Sequence, residues 1–230
     1  MATDLPVVRV EGVTRTFGTG PGAVRALRGI SLTVQPGEML AVCGRSGSGK
    51  TTLLHVIAGL DRPTSGQVWV DGQEVTAMSR DALLRLRREK VALVFQSYAL
   101  LPMLSAAENV GIPMRLARVD PARREERTRA LLDMVGLAER AGQRPLELSG
   151  GEQQRVAIAR ALAGNAEVLL ADEPTGQLDS HTGHQVMTLL RGITHERGIT
   201  AIVATHDRTL MSAADRVLTL QDGQLTPLTP

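Results

Sequence analysis

Hydrophobic positions along this chain follow two different periods, and the changes between them mark its organisation. Near the start the pattern is strand-like: Val7-Val8-Arg9-Val10 is one candidate, and Ile30, Leu32 and Val34 take every second place before Pro36-Gly37 stops the run. Met39 to Cys43 is apolar at every position, as in a strand buried on both faces. Amphipathic TLLHVIAGL, residues 52–60, has the spacing of a helix. Val68-Trp69-Val70 then alternates again, with Asp71-Gly72 as a hairpin turn.

From about residue 76 to 147 the character becomes helical. Leu83, Leu84 and Leu86 lie among arginines, and a helix over 121–135 is announced by Asp120-Pro121, a cap followed by a first-turn proline. Glu125 and Arg129 have the i, i+4 order that supports an exposed helix. One apolar run, Val91 to Phe95, ends in Gln96. The last third returns to short apolar runs, Val168 to Ala171 and Thr200 to Ala204, separated by a helix around 181–197. The pattern predicts an α/β fold over 1–230, a single domain whose core is interrupted by a helical insertion at about 76–147, with no internal repeat, low-complexity tract or long linker.

Composition changes this picture little. A hydrophobic content of 43% and a charged content of 22% are ordinary for a soluble globular protein. A net charge of +2 is a poor basis for nucleic-acid binding, and none is expected. Lys50 and Lys90 are the only lysines beside 24 arginines, so each lysine is a candidate for a place that needs a compact ammonium. One cysteine, Cys43, excludes an internal disulfide and fits a reducing compartment. Met1 to Val10 lacks the pattern of a signal peptide, and no apolar run approaches the roughly 18 residues that cross a bilayer. A membrane role would require another component to hold the chain there.

Candidate chemistry changes it a great deal. GRSGSGKT, residues 44–51, fits G-x-x-x-x-G-K-[ST] between a buried strand and a helix. In such a loop the backbone N–H groups of Gly44, Arg45, Ser46, Gly47, Ser48 and Gly49 turn toward phosphate oxygens, and the helix start at Lys50, Thr51 and Thr52 adds its partial positive charge. Lys50 would reach the β- and γ-phosphates, and Thr51 would offer its hydroxyl to Mg²⁺. VLLADE, residues 168–173, ends a buried strand in two acids: Asp172 to hold Mg²⁺ and Glu173 to act as general base on water. Gln96 and His206 also stand at strand ends, after the apolar runs 91–95 and 200–205, and could face a γ-phosphate, Gln96 on the metal or the water. Taken singly, each is a weak signal: a lone His is more often a surface or capping residue, and a lone Gln means little.

The stretch ELSGGEQQRVAIAR, residues 147–160, poses a question of cost. Ser149 and Glu152 form a capping box, yet Gly150 and Gly151 fill the first turn, where each costs up to about 1 kcal/mol relative to alanine. Together, 44–51, Gln96, LSGGEQQR, 168–173 and His206 resemble the ATP-binding cassette (ABC) ATPases in order and approximate spacing, over essentially the whole chain. GLDRPTSGQVWVDGQEV and ADEPTGQLDS are similar in particular to the ATPases of lipoprotein-releasing and macrolide-export systems.

The resemblance implies a P-loop NTPase core with an N-terminal antiparallel β subdomain and an inserted α-helical subdomain. It implies ATP and Mg²⁺ as cofactors and a head-to-tail homodimer in the ATP-bound state, in which Ser149, Gly150, Gly151 and Glu152 face the other subunit's phosphate loop. The glycines would then admit a helix N-terminus to a bound γ-phosphate. It makes Phe17 the aromatic that stacks on adenine and Asp179 the acid at the dimer interface, although Gln177 stands where Asn or Ser is usual. It places a groove for a permease helix near Phe95 and Tyr98; for Phe95, core packing serves equally well. The implied function is an ATP-hydrolysing subunit on the cytoplasmic face of the cell membrane that energises a separate permease, of an exporter or lipoprotein-release type. A soluble ABC ATPase of DNA repair or ribosomes is the alternative, disfavoured by one cassette and no heptad run. A regulatory ATP-binding protein without turnover is disfavoured by the presence of both Asp172 and Glu173.

Overall fold

The alternating valines at the start pair off as an antiparallel sheet in the computed structural model, which describes residues 5–227. Strands β1 (Val8–Phe17), β2 (Val24–Val34), β4 (Ser65–Val70) and β5 (Gln73–Glu74) lie in the order β2-β1-β4-β5. The register sets Val10 opposite Leu32 on one side and Val68 on the other, all three buried. Asp71 and Gly72, with φ of 48° and 70°, make the tight β4–β5 turn, where left-handed backbone at both positions matches the strand twist.

A second sheet carries the all-apolar runs. It comprises β3 (Met39–Cys43), β6 (Val91–Val94), β7 (Val168–Asp172), β8 (Thr200–Thr205), β9 (Arg216–Gln221) and β10 (Gln224–Pro227), ordered β10-β9-β3-β8-β7-β6. All neighbours are parallel except β10, which turns back on β9. Because side chains alternate, each buried strand feeds two cores. Leu40, Val42, Leu170, Ile202 and Ala204 pack with the first sheet, with α1 (Lys50–Ile57) and with α2 (Arg80–Glu89). Met39, Leu169, Ala171, Ala201 and Val203 pack with α3 (Ala106–Leu116), α4 (Pro121–Met134), α5 (Gly150–Ala161) and α6 (Ser180–Arg197). Among the described residues no helix is long and apolar enough to cross a membrane.

The structure departs from the sequence pattern at two places. Residues 76–147 are not helical throughout: the apolar run before Gln96 forms, as its strand reading predicts, the sheet strand Val91–Val94 paired with β7, and Leu83 and Leu86 of α2 pack into the core of the first sheet. The continuous helical packing runs instead from α3 through α4 to α5, past residue 147. The structure also adds a β9–β10 hairpin, in which Asp222 and Gly223 (φ 49° and 77°) make the same kind of Asp-Gly turn as Asp71-Gly72. Elsewhere the local signals hold. Asp120 caps α4 by accepting from the backbone N–H of Ala122 and Arg123, and Arg129 bridges to Glu125 at 3.2 Å.

Candidate functional site

Four adjacent parallel strands, β3-β8-β7-β6, bring the sequence-predicted residues to one edge. Cys43 lies beside Thr205, Asp172 beside Ala204, and Ala171 beside Val94, so the phosphate loop, His206, Asp172-Glu173 and Gln96 leave the sheet side by side. Ligands gather at the carboxyl ends of strands in such sheets.

The loop joins β3 to α1, and its glycines have separate reasons. Gly47 has φ 80° with open space around it, a purely conformational need. A side chain at Gly44 would run into the Leu220 carbonyl and Ser48, and one at Gly49 into the Ala26 carbonyl. The loop therefore lies directly against β2 and β9, a constraint beyond any ligand. Lys50 is 6% exposed; its Nζ donates to the carbonyls of Gly44 at 2.7 Å and Arg45 at 3.2 Å, and sits 3.2 Å from Glu173 Oε1. Three short contacts converge on one compact ammonium, which a planar guanidinium cannot reproduce in the same space. Lys50→Arg should therefore weaken Mg-ATP binding by about tenfold or more, the discrimination expected when a buried polar site loses its match. Equilibrium dialysis checks this, and unchanged affinity would make the shape of the lysine irrelevant.

Glu173 stands at φ 47°, strained for a residue with a side chain. Its N–H donates to the Ala204 carbonyl at 2.9 Å, while Oε2 is 2.8 Å from His206 Nδ1 and 3.3 Å from the His206 backbone N. The acid is thus fixed between Lys50 and His206. Burial pushes the Asp172 carboxyl above the usual range, partly opposed by the Thr51 hydroxyl, which donates to it; the adjacent Glu173 charge pushes it up further. Asp172 Oδ1 and Ser48 Oγ are both buried without a hydrogen-bond partner among the described residues. A hard cation fits this set, since Thr51, Asp172 and Gln96 all offer oxygen donors.

The outlying residues fall around this centre. Gln96 is exposed, and its Nε2 lies 3.0 Å from where a Gly176 Cβ would stand, above the turn that follows Glu173. Phe17 ends β1 with 42% of its surface exposed. The Arg15 guanidinium lies 4.4 Å from its ring centre and is held by two 2.7 Å bonds to Asp61. Arg15 and Asp61 carried no signal in the sequence, because their pairing spans two strands and a helix. Asp179 is exposed and caps α6, accepting from the Thr182 N–H at 3.1 Å; the Thr182 hydroxyl first, and then this N–H, hold its carboxyl below the usual range. Gln177 is exposed beside it.

The capping box forms as read: Ser149 Oγ accepts from the Glu152 N–H at 3.3 Å, and Glu152 Oε2 accepts from the Ser149 N–H at 2.8 Å. The two glycines also have reasons within the chain. A side chain at Gly150 would stand 2.9 Å from Tyr98 Oη, and one at Gly151 would strike Thr182. The cost of these glycines is therefore offset in part by close packing of α5 on α6 and on the loop after β6.

Known proteins resemble this chain in sequence and fold. The sequence profile described as ABC transporter matches residues 27–176. A macrolide export ATP-binding/permease protein MacB of Agrobacterium fabrum is 49% identical over 95% of this chain, and one of Azoarcus sp. is 48% identical over 96%. The chain spans about a third of the length of these relatives, 34% and 33% respectively. Among solved structures, the ATP-binding cassette MJ0796, in a dimeric post-hydrolysis state bound to ADP and Pi, is 39% identical, with a TM-score of 0.87 over 97% of this chain and 99% of that one. CbiO1 of Clostridium perfringens, part of an ABC transporter complex, is 29% identical with the same TM-score over 96% of this chain and 87% of that one. With the family profile matched over residues 27–176 and solved cassettes sharing nearly the whole fold, this chain belongs to the ABC transporter family, and it is an ATPase cassette of that family.

Proposed function

We propose that this chain binds Mg²⁺-ATP between its own phosphate loop and the Ser149–Glu152 helix start of a second copy, and uses hydrolysis to drive a separate integral-membrane permease. The observation that carries the reading is the convergence at one sheet edge of Lys50, Glu173 and His206 beside the unpartnered oxygen of Asp172. Phe17 offers its free face to adenine, with Arg15 against the ring. The loop amides and Lys50 hold the phosphates. Thr51, Asp172 and Gln96 would hold Mg²⁺, which when bound neutralises phosphate charge. Among the described residues no three His, Cys, Asp or Glu could hold a metal by themselves, in keeping with a cation completed by phosphate and water.

Glu173 takes the proton of the attacking water, and His206 steadies that carboxylate through Oε2. When phosphate oxygens draw Lys50 toward the loop, the Glu173 oxygen it now contacts is released to the water. Asp179 lies at the interface between the two copies. The domain reading follows the same logic: one ABC ATPase domain, with its helical subdomain built on α3, α4 and α5. The relatives named for macrolide export support an exporter or lipoprotein-release type, working at the cytoplasmic face of the cell membrane through its permease.

Asp172→Asn is the direct test. Hydrolysis in Mg²⁺ should fall by about two orders of magnitude or more, as when a catalytic charge-stabilising group is lost. ATP binding without Mg²⁺ should persist. The melting temperature at pH 7 should rise, because folding raises the pKa of Asp172 and the ionised carboxylate therefore subtracts stability. That gain should shrink as pH falls through the raised pKa, where the wild-type acid neutralises itself. Unimpaired Mg²⁺-dependent turnover would remove Asp172 from the site.

A further inference from the structure

Arg160 lies in the last turn of α5, at the far end of the helix that begins with Ser149-Gly150-Gly151. Burial lowers its pKa, yet it has no carboxylate partner among the described residues. Its guanidinium instead donates to two successive carbonyls, Nη1 to Ala99 at 2.5 Å and Nη2 to Tyr98 at 2.9 Å. Those two residues have φ of 50° and 57°, so both carry a side chain in left-handed backbone. The same Tyr98 sends its hydroxyl to the other end of α5, against Gly150. One helix thus grips one strained loop at both of its ends, and that loop carries Gln96.

We propose that Arg160 is a positioning residue that latches the loop of residues 96–99 to α5. Two paired N–H donors in a rigid fork hold consecutive carbonyls in a conformation the loop does not favour by itself. A helix-end arginine serving its own helix would bond carbonyls of α5. This one leaves them for a segment some sixty positions earlier in the chain, 61 for Ala99 and 62 for Tyr98. The consequence is that Gln96 and the Ser149–Gly151 helix start are presented as one unit. A shift of either must move the other, so closure of the dimer at one surface and attack at the γ-phosphate are tied by one side chain. This consequence rests on the proposed role of Gln96; the latch itself does not.

The experiment uses Arg160→Met, which keeps the apolar stem, Arg160→Lys, which keeps the charge without the fork, and Gln96→Ala. Hydrogen exchange of the amides of residues 97–100 should speed up by about tenfold in Arg160→Met, as local opening becomes easier, and by less in Arg160→Lys. ATP affinity without Mg²⁺ should be unchanged. The kcat of Arg160→Met should fall toward that of Gln96→Ala, and the double variant should be no slower than Gln96→Ala alone. Unchanged exchange in both arginine variants overturns the latch, and losses that multiply in the double variant overturn the tie it is proposed to make between Gln96 and the helix start. If Arg160→Met does not fold, Arg160→Lys decides by the same two measurements. If Gln96→Ala retains full activity while Arg160→Met still loosens the loop, the role of Gln96 fails and the latch stands.

Discussion

Glu173→Gln should retain ATP and hydrolyse it about two to four orders of magnitude more slowly, the span expected when a general base is lost. The substitution is gentle on the surroundings. An amide oxygen can still accept from the His206 backbone N–H, now 3.3 Å from Oε2, and the backbone at φ 47° need not move. What disappears is the charge beside Lys50, 3.2 Å away, and the capacity to take a proton from water. Loss of that charge leaves Lys50 freer for phosphate, so binding should hold or tighten while chemistry stalls. ATP-bound dimers should therefore accumulate, visible by size exclusion in Mg²⁺-ATP. Single-turnover hydrolysis near the wild-type rate would take Glu173 out of this role.

The residues that were legible in the sequence share a property: their reason is local. GRSGSGKT between a strand and a helix, two acids at the end of an apolar run, and a Ser149–Glu152 box are each complete within a few positions. What was not legible has its cause elsewhere in the chain. Gly44 is glycine also because the Leu220 carbonyl lies above it, and Gly151 because Thr182 does. Arg15 becomes a support for Phe17 only when Asp61 fixes it, and Arg160 becomes a latch only when the loop after β6 turns under it. The strand Val91–Val94 was legible from its apolar run, while its place beside β7 was not, because that neighbour lies more than seventy positions away. Hydrophobic period thus located the layers, while contacts between layers decided which polar side chains matter.

The packing of Gly151 also determines how the shared site must be tested. Replacing Gly151 would damage its own chain through Thr182, so loss of function could not be assigned to a second copy. Ser149→Asp avoids this. Aspartate is as good an N-cap as serine and keeps the bond from the Glu152 N–H, but it sets a carboxylate where another copy's γ-phosphate would come. The complementary variant is Lys50→Ala. In either homodimer both sites are damaged, because each needs one intact phosphate loop and one intact helix start. In a mixed dimer both lesions fall in one site, and the other is whole. If a partly buried helix start favours phosphate by about 2 kcal/mol, restoring one site should raise dimer affinity roughly thirtyfold over either homodimer. Differently tagged chains, mixed in Mg²⁺-ATP and captured through one tag, give the measurement. Hydrolysis is the poorer readout, since coupled sites can require two competent halves. Were loop and helix start to serve the same chain, every molecule in the mixture would carry a lesion in its own site. Absence of any gain on mixing, with both variants folded by melting temperature, would then count against the shared site.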